Sequence, residues 1–270
     1  MIVDNADDPE TKAVVDSVQQ GRFEVVRLVP GTNLGCGGGL AFGENAALER
    51  YAGRLTHLWL LDDDTELAPS ALEQLLAAMQ SEGAALACPM IINAEREIDW
   101  FPGLLKRREF NAIRNKRVRT PAEYLASFGA KPVRFNWATG VSLLITREAM
   151  EEVGAHRDDF WIRGEDLEFS LRITAGMPGI FVPGAVVSHL PPSVSHSHQT
   201  LAAEQKKEVA KLQNIAFISL HLPHGRRILR TLPGNYFRHV RLWGLKSLLE
   251  ALGAFWRGGV RALPAGARTQ

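Results

Sequence analysis

Cysteine is scarce: Cys36 and Cys88 are the only two in 270 residues, too few for a disulfide framework and in keeping with a reducing compartment. Long apolar runs are missing as well. None approaches the roughly 18–20 residues of a membrane-spanning helix, and the first residues have neither the basic nor the apolar region of a secretory signal. Charge of one sign is not in excess: 31 Lys and Arg stand against 30 Asp and Glu, a formal net charge of +1. That balance excludes the basic surplus of a bulk nucleic-acid binder. There are no internal repeats and no low-complexity segment. The glycine-rich stretch at 35–43 lacks both the Lys-Ser/Thr of a P-loop and the spacing of a dinucleotide fingerprint. What remains is an ordinary globular composition, 46% hydrophobic and 23% charged, in a chain long enough for one large domain with an appendage. The expected location is the cytoplasm.

Strand-like and helix-like stretches alternate. "MIVDNADD" reads as the end of a strand, followed by a helix over Pro9–Gln20 and an apolar strand, "FEVVRLV", at 23–29. A glycine-rich loop, "GTNLGCGGGLAFG" at 31–43, leads into a helix running to about Tyr51. "HLWLL" at 57–61 has the pattern of a fully buried strand. After Pro69, the spacing of Leu72, Leu75, Leu76 and Met79 predicts one apolar helical face. "AALACPMII" at 84–92 is a further buried strand. Residues 99–134 are basic and show little periodicity, which suggests an irregular excursion over the sheet. A strand and short helix follow at 135–154, a loop and helix at 160–176, and a strand pair leading to His189. From Leu201 to Ala262 the pattern is mostly helical. Such alternation predicts an α/β fold with a mostly parallel central sheet flanked by helices and a C-terminal helical extension.

Three stretches could carry chemistry. Asp62, Asp63 and Asp64 end a strand, where ligands bind in open α/β sheets. Adjacent carboxylates suit either a solvated turn or an all-oxygen site for Mn²⁺ or Mg²⁺. Glu165 and Asp166 open a helix, which favours acidic groups through its dipole and also suits a general base. His189 follows a strand and is either an ordinary histidine or a ligand, with His196 and His198 nearby as competitors.

Taken in order, "VDNADDPET" (3–11), "NLGCGGGLAFGEN" (33–45), "WLLDDDTEL" (59–67), "GVSLLITREAMEEVG" (140–154), "FWIRGEDLEFSLR" (160–172) and "VSHL" (187–190) resemble a family-2 glycosyltransferase of GT-A fold. The triple aspartate and the "NLG-x-GG" stretch are most similar to the galactofuranosyl- and rhamnosyltransferase branch. The resemblance implies a metal-dependent, inverting transfer of sugar from a nucleoside-diphosphate sugar to a hydroxyl of a glycan or lipid-linked glycan. Position by position, it implies that Asp4, Asn33, Gly35, Gly38, Asp62 and Asp63 bind the donor. Asp64 and His189 would hold Mn²⁺ or Mg²⁺, and Asp166 would be the base with Glu165 beside it. A sugar-nucleotide hydrolase or nucleotidyltransferase using the same carboxylates, and a non-catalytic nucleotide-sugar-binding remnant, are the alternatives. The resemblance also implies a strand and helix ahead of "VDN", so the expectation here is a sheet short of that first unit.

The domain boundaries expected are 1–198 for the GT-A domain and 199–270 for the helical region. From His224 to Arg261 eight Lys/Arg face a single acid, Glu250. Leu245, Leu248, Leu249, Leu252, Phe255 and Trp256 recur there at helical spacing. This face either packs on the catalytic domain or rests on an anionic membrane surface at the inner side of the cell membrane.

Overall fold

The computed structural model describes residues 1–18, 23–190, 201–223, 225, 232–244 and 247–260. The main sheet has six strands in the order β3 (His57–Leu61), β7 (Ser142–Thr146), β5 (Leu86–Ile92), β8 (Gly179–His189) and β4 (Thr65–Leu67), with β6 (Val133–Phe135) also paired to β8. β5 and β8 are parallel; β7 runs against both β3 and β5, so β3, β5 and β8 share one direction. β4 and β6 are antiparallel to β8. A separate parallel pair is formed by β1 (Ile2–Val3) and β2 (Arg27–Leu28).

The apolar run of β5 follows from its coverage on both faces. Leu86, Cys88, Met90 and Ile92 point to one side, with Leu143, Ile145 and Phe181. That side is closed by α4 (Arg107–Arg114), α5 (Pro121–Phe128), α6 (Arg147–Val153) and α7 (Glu165–Thr174), through Ile113, Tyr124, Met150 and Phe169. Ala87, Leu144, Ile180 and Val182 point the other way, onto Leu75 and Met79 of α3 (Ala71–Glu82). α1 (Pro9–Val18) and α2 (Gly35–Arg50) accompany the β1–β2 pair.

Several expectations change. The segment 99–134 is not an irregular excursion: it holds α4 and α5, and Leu104, Ile113, Val118 and Tyr124 belong to the core. In α5 the helical signal is a cap. Thr120 and Glu123 form a capping box around Pro121 at the first helical position, which starts α5 even though the helix is short. β3 is half-buried rather than fully buried, because among the described residues it is an edge strand with β7 as its one partner. The predicted strand pair at 179–189 is one strand, β8, whose register against β5 shifts between Pro89 and Met90. On α3 the buried stripe is Ala71, Leu75, Ala78 and Met79, and Leu72 is exposed.

The glycine stretch is not a loop either. α2 begins at Gly35 and contains it. A side-chain carbon on Gly37 would lie 2.2 Å from the Phe160 carbonyl oxygen, and one on Gly35 would lie 2.2 Å from the Trp161 ring. The glycines therefore let α2 touch the chain at 157–161, directly ahead of α7.

α8 (Leu201–His221) contributes Phe217 and Ile218 to a cluster with Phe160 and Leu171. α9 (Leu232–Trp243) and α10 (Ser247–Gly259) follow, α10 packing Ala251 and Ala254 against Leu212 of α8. The packing side of α10 is Ala251 and Ala254, whereas Leu249, Leu252 and Trp256 of the expected face are exposed at 78, 51 and 72%, as is Val260 just past the helix at 63%. Leu245 and the Leu248 side chain lie outside the described residues, as do Lys246, Arg226, Arg227, Arg230 and Arg261.

Candidate active site

β3 ends at Leu61 and the three aspartates turn the chain into β4, a strand the sequence did not suggest. β4 pairs with the end of β8 in a register that sets Thr65 opposite His189. The turn is closed by Leu190 N donating to Asp64 O (2.7 Å) and by the Thr65 hydroxyl donating to Asp62 O (2.8 Å). Strand pairing thus carries His189 to the aspartates across 125 residues of sequence (189 less 64). Nε2 of His189 lies 3.4 Å from Asp64 Oδ1. One ligand atom each from Asp62, Asp64 and His189 fall within 4.8 Å of one another. Asp63 is exposed. His196 and His198 lie outside the described residues.

The donor set, two carboxylate oxygens and an imidazole nitrogen, suits a divalent cation of the Mn²⁺ or Mg²⁺ kind. Electrostatics point the same way. Although Asp62 as a residue keeps solvent contact, its carboxyl is pushed up to about 6, first by desolvation and next by the charge of Asp64. A cation would remove that repulsion.

Across a cleft of about 200 Å³ from Asp62 stand Glu165 and Asp166, at the start of α7. The helix begins after two left-handed residues, Arg163 (φ 64°) and Gly164 (φ 102°). α8 holds this turn: Asn214, 1% exposed, donates to the carbonyls of Ile162 (3.2 Å) and Arg163 (2.8 Å). Glu204 and Glu208 pair with the Arg163 guanidinium. The body of α7 is anchored by Arg172, which pairs with Glu168 and donates to the carbonyls of Val153 and Ala155. Behind it, His156 stacks on Phe169 with ring centroids 3.8 Å apart and meets the buried Glu44 of α2 through Nδ1, at 2.6 Å.

Asp166 accepts from the Gly140 amide through Oδ2 (3.1 Å) and from the Leu167 amide through Oδ1 (2.6 Å). Burial nevertheless wins over these bonds and raises its carboxyl above the ordinary value, the direction that strengthens a base. Glu165 is raised by burial and then by Asp166, and its Oε2 is buried without a hydrogen-bond partner. Cys36 shares the cleft; although the residue is exposed, desolvation at its thiol and then Glu165 push that thiol above its usual range. It therefore stays protonated. Trp100, Thr139, Gly140 and Val141 also line the cleft.

The sequence profile described as "Glycosyl transferase family 2" matches residues 1–140, just over half of the 270. The chain belongs to glycosyl transferase family 2. No curated protein matches it. Among solved structures it is similar to GalNAc-T7 with UDP, GalNAc and Mn²⁺ (20% identity, 93% of this chain, 49% of that chain, TM-score 0.52). S. aureus TarS residues 1–349 with UDP-GlcNAc (11%, 95%, 71%, 0.57) and the mannosyltransferase PcManGT of Pyrobaculum calidifontis with GDP-Man and Mn²⁺ (16%, 97%, 66%, 0.51) are similar too. At these identities the likeness shows the GT-A fold. The chain spans about half the length of the GalNAc-T7 chain.

In this family-2 chain the matched stretch includes the aspartates but stops short of Glu165, Asp166 and His189. The residues expected at the donor have definite surroundings. Asp4 is buried. Its Oδ1 accepts from the Ala6 amide and its Oδ2 from the Asp8 amide and Arg27. Burial alone would raise that carboxyl, and these bonds, led by Arg27, hold it below the ordinary value. Asn33 is exposed and accepts from the Gly35 amide (2.8 Å), while Asn5 bridges to Leu34 and Gly35. Gly35 and Gly38 are buried at the start of α2; from this helix it is Cys36 and Leu40 that line the cleft with Asp62.

Proposed function

We propose that this protein is an inverting, metal-dependent hexosyltransferase that uses a nucleoside-diphosphate sugar and glycosylates a hydroxyl of a glycan or lipid-linked glycan, in the galactofuranosyl/rhamnosyl branch of its family. The observation that carries this is a cleft lined by Asp62, His189, Glu165 and Asp166, with Asp64 joining Asp62 and His189 in one cluster of ligand atoms. Family membership, and neighbours solved with UDP, UDP-GlcNAc or GDP-Man, support a nucleotide-sugar donor.

A diphosphate would be repelled by a cleft lined with carboxylates, so donor binding needs a cation in place. Mn²⁺ or Mg²⁺ held by Asp64 and His189, with Asp62 in reach, would supply positive charge to the departing diphosphate. Asp62 and Asp63 orient the donor, with Asp4, Asn33, Gly35 and Gly38 shaping its nucleotide side. Asp166 accepts the acceptor hydroxyl's proton as the oxygen attacks the anomeric carbon, and Glu165 flanks it. The Gly140 amide keeps the base aimed. One base and one displacement invert the configuration.

The catalytic region is 1–198 and the helical region 199–270, with α8 serving the site by holding the turn ahead of α7. Among the described residues no helix is long and apolar enough to cross a membrane. The exposed Leu249, Leu252 and Trp256 of α10 and Val260 after it, with Arg257 on the same helix and Arg241 on α9, suit peripheral attachment to an anionic cytoplasmic leaflet. A polysaccharide or cell-wall pathway fits such a place. The test is incubation with a panel of UDP-, GDP- and dTDP-sugars plus Mn²⁺ or Mg²⁺. Nucleoside diphosphate release that requires an acceptor supports transfer, and release of free sugar without one supports a hydrolase. Donor binding with neither would mean a non-catalytic remnant.

A further inference from the structure

Beyond β5, residues 93–98 form a turn that is tied down in several places. Asn93 N donates to Glu97 O (2.9 Å), Asn93 Oδ1 accepts from Glu97 N (2.9 Å), and Arg96 N donates to Asn93 O (2.9 Å). Ile98 bridges to Ile92 and donates to the Arg119 carbonyl (2.6 Å). The next amide, of Asp99, returns to the Ile91 carbonyl on β5 (3.0 Å). Because β5 and β8 are parallel neighbours with Ile92 opposite Ser188, this return brings Asp99 to the end of β8. There its Oδ2 lies 3.5 Å from Nδ1 of His189, while Nε2 of the same ring faces Asp64.

We propose that Asp99 is a positioning residue for the metal site: it holds Nδ1–H of His189 and so leaves the Nε2 lone pair aimed at a cation shared with Asp64. The inference rests on the metal-dependent reading above. A neutral imidazole has one donor and one acceptor nitrogen, and the partner of one decides the role of the other. Histidines that bind metal commonly hand their second N–H to a carboxylate in this way. Asp99 meets the ring at the nitrogen opposite the one facing Asp64. The two ring nitrogens point apart, so Asp99 acts on the cation through His189 rather than as a further ligand. Its side chain keeps 38% of its exposure, so little of the fold depends on it.

The experiment counts free Mn²⁺ by electron paramagnetic resonance across a titration, alone and with UDP or GDP. It uses wild type, Asp64→Ala, Asp99→Ala, Asp99→Asn, His189→Ala and the Asp99→Ala/His189→Ala double variant. Asp99→Ala should weaken Mn²⁺ binding about tenfold, at the low end of what an outer partner contributes. Asp99→Asn, whose carbonyl oxygen still accepts Nδ1–H, should keep most of the affinity. With His189 already removed, the Asp99→Ala loss should vanish. Unchanged affinity in Asp99→Ala, or an equal loss without His189, overturns the positioning role while Asp64-dependent binding in wild type leaves the metal reading standing. Wild type that binds no Mn²⁺, or binds it equally well as Asp64→Ala, overturns both.

Discussion

Replacing Asp62 with Asn should make the metal-free protein more stable at neutral pH, although it weakens the site. Asp62 follows the edge strand β3, with Asp63 and Asp64 beside it and Asp166 across the cleft, and its carboxyl rises from 3.8 to about 6. A carboxyl raised on folding binds its proton more tightly in the folded chain than in the unfolded one. Its contribution to stability is therefore complete below about pH 3.8 and is lost as pH rises to about 6. At pH 7 the fold carries an ionised Asp62 at a cost. Unscreened, a rise of this size corresponds to about 3 kcal/mol at about 1.4 kcal/mol per tenfold. Asp62 is open to water on one side, and screening reduces this to about 1 kcal/mol. For a domain of this size that is roughly 2–4 °C in melting temperature. The assay is thermal and urea denaturation in EDTA, at pH 7 and pH 4. Asp62→Asn should melt higher at pH 7 and the advantage should shrink toward pH 4. Adding Mn²⁺ should reverse the order, since only a ligand that prefers the folded state stabilises it, and wild type binds more tightly. An advantage independent of pH, or none at pH 7, would refute the electrostatic reasoning.

Asp64→Ala should abolish metal-dependent turnover with the fold retained, and His189→Ala should do the same less severely; near-normal activity of Asp64→Ala at limiting Mn²⁺ would show that the ligand is elsewhere. Asp166→Asn should lower the transfer rate by about 10²–10⁴ with donor affinity little changed. Because burial raises Asp166, the base is lost as pH falls, and the acid limb of the wild-type rate profile should lie above the usual carboxylate range. Gly37→Ala places a carbon against the Phe160 carbonyl, a backbone atom that cannot swing aside, and should cost about 1–3 kcal/mol in denaturation experiments. Deleting residues 224–270 should remove salt-sensitive co-sedimentation with anionic liposomes; equal pelleting of both forms would leave α10 without a membrane role.

Much of this protein is legible in one dimension because its signals are local. The apolar run at 86–92 announces a strand covered on both faces, and Pro, Gly and the 3.6-residue period mark most helices. The ordered motifs around Asp62–Asp64 and Glu165–Asp166 were enough to indicate the family and the GT-A fold. Other features were invisible for physical reasons. The helices at 107–128 are only eight residues each, so the first shows its period over only about two turns among basic residues, and Thr120, Glu123 and Pro121 are the local trace of the second. The glycines at 35–39 signalled close approach, but only folding names the partners, Phe160 and Trp161. The half-exposure of β3 depends on which strand lies beside it, and strand order is not written in the strand. The site is divided in the same way. The acidic pairs could be picked out as residue types, while β4's register, the β5–β8 neighbourhood and the grip of α8 on the turn ahead of α7 decide which groups meet. Carboxylates and a histidine could be read from the order of residues. Their distances, the raised carboxyls of Asp62, Glu165 and Asp166 and the place of Asp99 behind His189 come from contacts between segments far apart in the chain, and only the tertiary structure decides that.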